Sequence, residues 1–96
     1  MTAYWLARAR VDDAEQYARY ASQVPGILER HGGQVLARGG QHEVLEGPEA
    51  FSRFVVIAFP SLDAARDCFQ SAEYQAAAQF RRDGGGIVEI TIVDGV

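Results

Sequence analysis

Arg53-Phe54-Val55-Val56-Ile57-Ala58-Phe59, closed by Pro60, is the stretch around which the rest of the chain is organised. It is rich in β-branched and aromatic residues, too short for a stable helix, and ended by a residue that breaks strand pairing. One face reads Val55, Ile57, Phe59 and the other Phe54, Val56, Ala58, so neither is polar. A strand apolar on both sides has to be covered on both, which makes this a central strand. The remaining sequence supplies two helical segments, about enough to cover one face. A second copy of the chain is expected on the other.

Working outward, Gln34–Arg38 precedes that strand as a second one, interrupted by Gly39-Gly40 and expected to resume over Glu43–Glu46. Paired glycines inside a strand suggest a bulge or bend, and Gly47-Pro48-Glu49 is turn chemistry leading back antiparallel. On this pairing Glu46 faces Arg53 across the turn and Arg38 falls near the far end, beside Pro60. The two arginines are then too far apart to form one clamp. Residues 3–10 form the opening strand, and Ile87–Val93 the last.

Between the first two strands, Asp12-Asp13 offers a helix cap, and Ala14, Tyr17, Ala21, Val24 and Leu28 follow at helical spacing. Pro25 predicts a kink near Gln23–Gly26, and His31-Gly32-Gly33 ends the helix. Ser61 caps a second helix with Leu62, Ala65, Phe69 and Ala72 on its buried stripe, and Ser71 restarts it through Gln79 or Arg82. Asp83-Gly84-Gly85-Gly86 reads as a flexible loop. The order β-α-β-β-α-β is the ferredoxin-like unit of the α+β class. Right-handed crossovers give a four-stranded antiparallel sheet of order 4-1-3-2 with both helices on one face. Two such sheets packed face to face would bury about 800 Å² per chain, the size of a standard specific interface.

Composition narrows the partners. The 96 residues make one domain, 1–96, and 48% hydrophobic with 23% charged residues is ordinary globular composition. A net charge of −4 argues against nucleic acid or an anionic membrane as partner. The single cysteine, Cys68, excludes an internal disulfide and fits a reducing compartment. The apolar run Tyr4–Ala7 is too short for a signal peptide, so a cytoplasmic location is expected.

Several motifs, taken in order, resemble one family along nearly the whole chain. They are Tyr4-Trp5-Leu6-Ala7-Arg8, Tyr17-x-x-Tyr20, Gly32-Gly33-x-x-Leu36-Ala37-Arg38-Gly39-Gly40, Glu43-Val44-Leu45-Glu46-Gly47, Arg53-x-Val55-Val56-Ile57-x-Phe59-Pro60-Ser61 and Ser71-x-Glu73-Tyr74-Gln75. The sequence resembles the domain of unknown function 1330, a family of the dimeric α+β barrel superfamily. The resemblance implies a homodimer with its sheets face to face, and small-ligand sites between sheet and helices. It implies no particular reaction, since that superfamily includes cofactor-free oxygenases, haem-binding proteins, isomerases and ligand-sensing domains. One departure is Cys68-Phe69, where the family usually carries an aromatic pair.

The candidate ligand-binding residues are Trp5, Tyr17, Tyr20, Arg38, Arg53 and Tyr74. Tyr17 and Tyr20 lie three apart on one helix and so share a direction; they are either pocket phenols or core residues with a hydroxyl at the rim. Arg38 beside the glycine pair either holds an anionic group or makes a sheet-edge ion pair. Arg53 is read more plainly as a cross-strand partner of Glu46, and Arg8 as a partner of Glu89. His31 and His42 have no metal-ligand spacing and Cys68 stands alone, so neither a metal nor another cofactor is expected. The expectation is a small-molecule-binding homodimer whose ligand is a small aromatic or carboxylate metabolite. It extends to a cofactor-free oxygenase or isomerase; the alternative is a non-catalytic sensing or structural dimer module.

Overall fold

A computed structural model describes residues 1–96. Strand β1 (Ala3–Val11) is followed by helices α1 (Ala14–Ala21) and α2 (Val24–Arg30), then β2 (Gln34–Arg38) and β3 (Arg53–Phe59). Helices α3 (Leu62–Gln70) and α4 (Ala72–Phe80) lead through a wide turn to β4 (Gly86–Asp94). The strands form one antiparallel sheet in the order β2-β3-β1-β4, which is the expected 4-1-3-2 read from the other edge. The fold is ferredoxin-like. No helix is long and apolar enough to cross a membrane.

Local chemistry sets the helix ends. The Asp13 carboxylate accepts from the Gln16 N–H at 3.1 Å and starts α1. Pro25 sits in the first turn of α2, where its missing N–H costs nothing, and the chain breaks just before it at Ser22-Gln23. Ser61 caps α3 by accepting from Ala64 N–H at 3.0 Å. Ser71 closes α3 by donating to the Cys68 carbonyl and opens α4 by accepting from the Tyr74 N–H. Each of the two expected helical segments is therefore a bent pair.

The helices cover one face of the sheet. Ile57 and Phe59 of β3 and Trp5 and Ala9 of β1 are buried under them, with Leu28, Cys68, Tyr74 and Ala77 from the helical layer. Phe54, Val56 and Ala58 lie on the opposite face, half-buried only by their neighbours, beside Leu6 at 42% exposure. The two-sided apolar pattern of β3 is thus half satisfied within the chain.

Four local expectations are corrected. Strand pairing does not resume over Glu43–Glu46; residues 39–52 carry no strand. Gly39 and Gly40 both adopt positive φ, +62° and +76°, and turn the chain out of the sheet. Arg38 already stands opposite Val55, so β3 has only two residues left to offer, and Glu43–Glu46 has nothing to pair with. The irregularity in β2 falls earlier, between Val35 and Ala37. No Arg53–Glu46 pair forms, because pairing on that edge of β3 ends at Arg38–Val55 and residues 39–52 carry no strand. The Asp83–Gly86 segment is docked rather than loose: the Gly85 carbonyl accepts from Asp12 and Asp13 N–H at 3.0 and 3.1 Å. A Cβ on Gly85 would come within 3.1 Å of the Tyr17 backbone nitrogen, so a side chain here would crowd the start of α1.

Candidate functional site

A cavity of about 70 Å³ lies between the sheet and the α1–α2 pair. Its wall includes Trp5, Ala7 and Ala9 of β1, Tyr17, Tyr20 and Ala21 of α1, Val24, Pro25 and Leu28 around the bend, and Val35, Val55 and Ile57. Arg8, Arg38 and Arg53 complete the lining that carries charge, and no acidic side chain, imidazole or thiol belongs to it. Ala21, Val24 and Pro25 put the bend between α1 and α2 in the cavity wall. Trp5, Leu28 and Ile57 form the deeply buried part, while Arg38 is exposed and Arg53 half-buried.

The corrected register decides the electrostatics. Arg38 is opposite Val55, and Arg53 is two residues along β3 from Val55, so both arginines belong to the same cavity. Arg53 lies with its guanidinium 5.3 Å from the centre of the Tyr17 ring, a cation over an aromatic face. Arg8 stands opposite Phe54, so its side chain lies on the other face of the sheet, where it pairs with Glu89 at 2.8 Å, as the strand order implied, and stacks 4.2 Å over Phe51.

Tyr17 and Tyr20 meet edge to face with centroids 5.5 Å apart, and both side chains are buried, the Tyr20 hydroxyl turned inward to Tyr74. Burial pushes the Tyr17 phenol above its ordinary value, with the neighbouring Tyr20 adding to the effect. Burial also raises Tyr20, and a 2.8 Å hydrogen bond between its hydroxyl and that of Tyr74 adds to the shift. Near neutral pH both phenols therefore keep their protons and act as hydrogen-bonding groups. They are poorly placed to take a proton from a ligand.

Five of the six sequence-selected residues line the cavity: Trp5, Tyr17, Tyr20, Arg38 and Arg53. Tyr74 does not. It is fully buried, packed against Trp5 at 5.3 Å and Phe69 at 5.5 Å, and reaches the cavity only through the Tyr20 hydroxyl. Sequence reasoning missed Arg81, which is 6% exposed, donates to the Tyr74 hydroxyl at 3.4 Å and lies 5.1 Å over the Tyr20 ring. The available signal was spacing: Tyr74, Ala77, Ala78 and Arg81 share one helical face. His31 pairs with Glu73 at 3.3 Å, and Cys68 is buried with its thiol pushed up to about 11.

Comparison with known proteins bears on fold and family. A protein of unknown function from Rhodopseudomonas palustris aligns with a TM-score of 0.78 at 21% identity, over 99% of this chain and 82% of that one. A dimeric ferredoxin-like protein of unknown function from Jannaschia sp. aligns at 0.69 with 11% identity, over 99% and 100%. SnoaB, a cofactor-independent oxygenase from Streptomyces nogalater, aligns at 0.63 with 15% identity, over 99% and 93%. At these identities the likeness is one of fold. No curated protein matches the chain. The family described as Domain of unknown function (DUF1330) matches over residues 2–96, and the chain belongs to it.

Proposed function

We propose that this protein is a homodimer that binds a small aromatic or carboxylate-bearing metabolite in the cavity beside each sheet. One observation carries the ligand reading: an apolar cavity floored by Trp5 and Ile57 receives Arg38 and Arg53 and no acidic side chain. Such a wall favours an apolar body with an anionic group at the arginine side. The dimer reading is supported by the open sheet face, where Leu6, Phe54 and Val56 lie together in one shallow depression. An apolar sheet face of this kind is best explained by a second copy, and about 800 Å² per chain would suffice.

Binding is favoured over catalysis by the wall itself, whose phenols hold their protons and which offers no carboxylate or imidazole as base. The oxygenase reading draws on the likeness of fold to SnoaB, and a non-catalytic sensing module accommodates the same cavity. Thermal melting against a panel of small aromatic acids tests the proposal. A ligand at a hundred times its dissociation constant stabilises by about 2.7 kcal/mol, a shift on the order of 10 °C for a domain of this size. Absence of any shift across the panel would sink the ligand reading. Consumption of a bound ligand in air without added metal or flavin would bring the oxygenase forward.

A further inference from the structure

Arg81 is the one buried cation of the chain, and it has no anionic partner. The residue is 6% exposed, its Nε–H meets no acceptor, and no carboxylate lies within ion-pair distance. What surrounds it are two phenols: the Tyr74 hydroxyl, which accepts at 3.4 Å, and the Tyr20 ring beneath it at 5.1 Å. Its position just past α4 gives it the partial negative charge of the helix C-terminus, which falls short of a full counter-charge. An uncompensated buried charge is strongly unfavourable, and proteins ordinarily pair or hydrate it.

The hydroxyl chain gives this charge a direction. An arginine can only donate, so the Tyr74 oxygen accepts from Arg81, and the same oxygen lies 2.8 Å from the Tyr20 hydroxyl, with which it shares one proton of the pair. Tyr20 belongs to the cavity wall, so this hydroxyl pair joins the buried charge to the cavity. Behind the wall stands a fixed positive charge; at its other side stand Arg38 and Arg53. In a site shielded from water such fixed charges act at long range.

We propose that Arg81 is a positioning residue that makes the cavity selective for anions: it orients the Tyr74–Tyr20 hydroxyl pair and supplies positive charge behind it. The ligand is accordingly a small aromatic acid in its ionised form and not its neutral analogue. This rests on the cavity being a ligand site, as read above.

Benzoate and benzamide are matched probes, equal in shape and different in charge. Their dissociation constants, followed by Trp5 emission, are measured on the wild type, Arg81→Lys, Arg81→Met and Tyr74→Phe, with folding checked by circular dichroism. The wild type is expected to prefer benzoate by about tenfold or more. Arg81→Lys should keep that preference, and Arg81→Met should reduce it severalfold with little change for benzamide, Arg38 and Arg53 supplying what remains. A merely structural role would weaken both probes alike. A folded Arg81→Met that still prefers benzoate as the wild type does overturns the proposal. If Arg81→Met does not fold, Tyr74→Phe decides: it must weaken benzoate more than benzamide, and equal loss overturns the proposal. A wild type that binds both probes equally removes the anion selectivity while leaving the cavity reading intact. A wild type that binds neither overturns both for this ligand class.

Discussion

The Tyr20 and Tyr74 hydroxyls, from α1 and α4, meet at 2.8 Å inside the helical layer and tie it together at the back of the cavity. Tyr74 also accepts from Arg81, so its oxygen is the hub of the only buried polar network. Removing the hub leaves two buried groups without partners, and each unsatisfied group costs about 1–3 kcal/mol. Tyr74→Phe is expected to lose more stability than Tyr20→Phe, which leaves the Tyr74 hydroxyl its bond from Arg81. The double variant should cost less than the sum of the two. Urea unfolding of the three variants measures this, and strict additivity would mean the hydrogen bond contributes nothing of its own.

Alkaline pH should destabilise the fold through the same layer. Burial raises Tyr17, Tyr20 and Cys68 above their unfolded values, so in the folded state each keeps its proton where the unfolded chain has lost it. Stability from such groups is complete below the unfolded pKa and is lost as pH rises toward the folded one. Loss should begin near pH 9, where an unfolded cysteine titrates, and steepen beyond pH 10 as the tyrosines follow. Denaturant melts from pH 8 to 11 should show a falling free energy, and Cys68→Ala should flatten its first part. A flat profile to pH 11 would contradict the burial of these groups.

Cys68 offers a second readout of the same packing. It is fully buried against the core, and its thiol titrates near 11, so little thiolate exists at pH 8 and a reagent cannot reach it. Ellman's reagent should report no fast-reacting thiol in the native protein and one per chain in denaturant. Rapid native labelling would show that α3 opens easily.

The two faces of β3 separate folding from assembly. Ile57 lies under the helices and Val56 on the open face, although the two are adjacent in sequence. Ile57→Asp buries an unpaired charge and should unfold the subunit, a penalty of several kcal/mol. Val56→Asp should leave a folded chain whose light-scattering mass falls from about twice the chain mass to one. If both variants behave alike, the two faces do not differ as the structure has them.

The strand order, the caps at Asp13, Ser61 and Ser71, and the bend at Pro25 were legible in the sequence because each follows from local chemistry. The Arg38–Arg53 relationship was not, because it depends on where β2 stops pairing. The apolar pair Val44-Leu45 between Glu43 and Glu46 imitates a short strand, and nothing in those four residues shows that β3 has run out of partners. Only the positive φ of Gly39 and Gly40 turns the chain away, and a glycine pair is equally compatible with a bulge. Arg81 was hidden differently: a charged residue at a helix end is ordinarily solvated, and its burial follows from the docking of Gly85 against α1.

Because that register places Arg38 and Arg53 at one cavity, their contributions to binding can be told apart by salt. Arg38 is exposed, so its attraction for an anionic ligand is screened; at 1 M salt the Debye length is about 3 Å. Arg53 is half-buried over Tyr17 and should be screened far less. At low salt each alanine variant is expected to weaken benzoate about tenfold, the usual order for losing a charge-assisted contact. At 1 M salt the Arg38→Ala penalty should largely vanish, because the wild type has lost that attraction too, while the Arg53→Ala penalty persists. Arg53→Ala should also weaken benzamide modestly by loosening Tyr17, and Arg38→Ala should not. Titrations of the three proteins at two salt concentrations decide it. If neither alanine variant weakens benzoate at either concentration, the anionic group does not sit between these two strands.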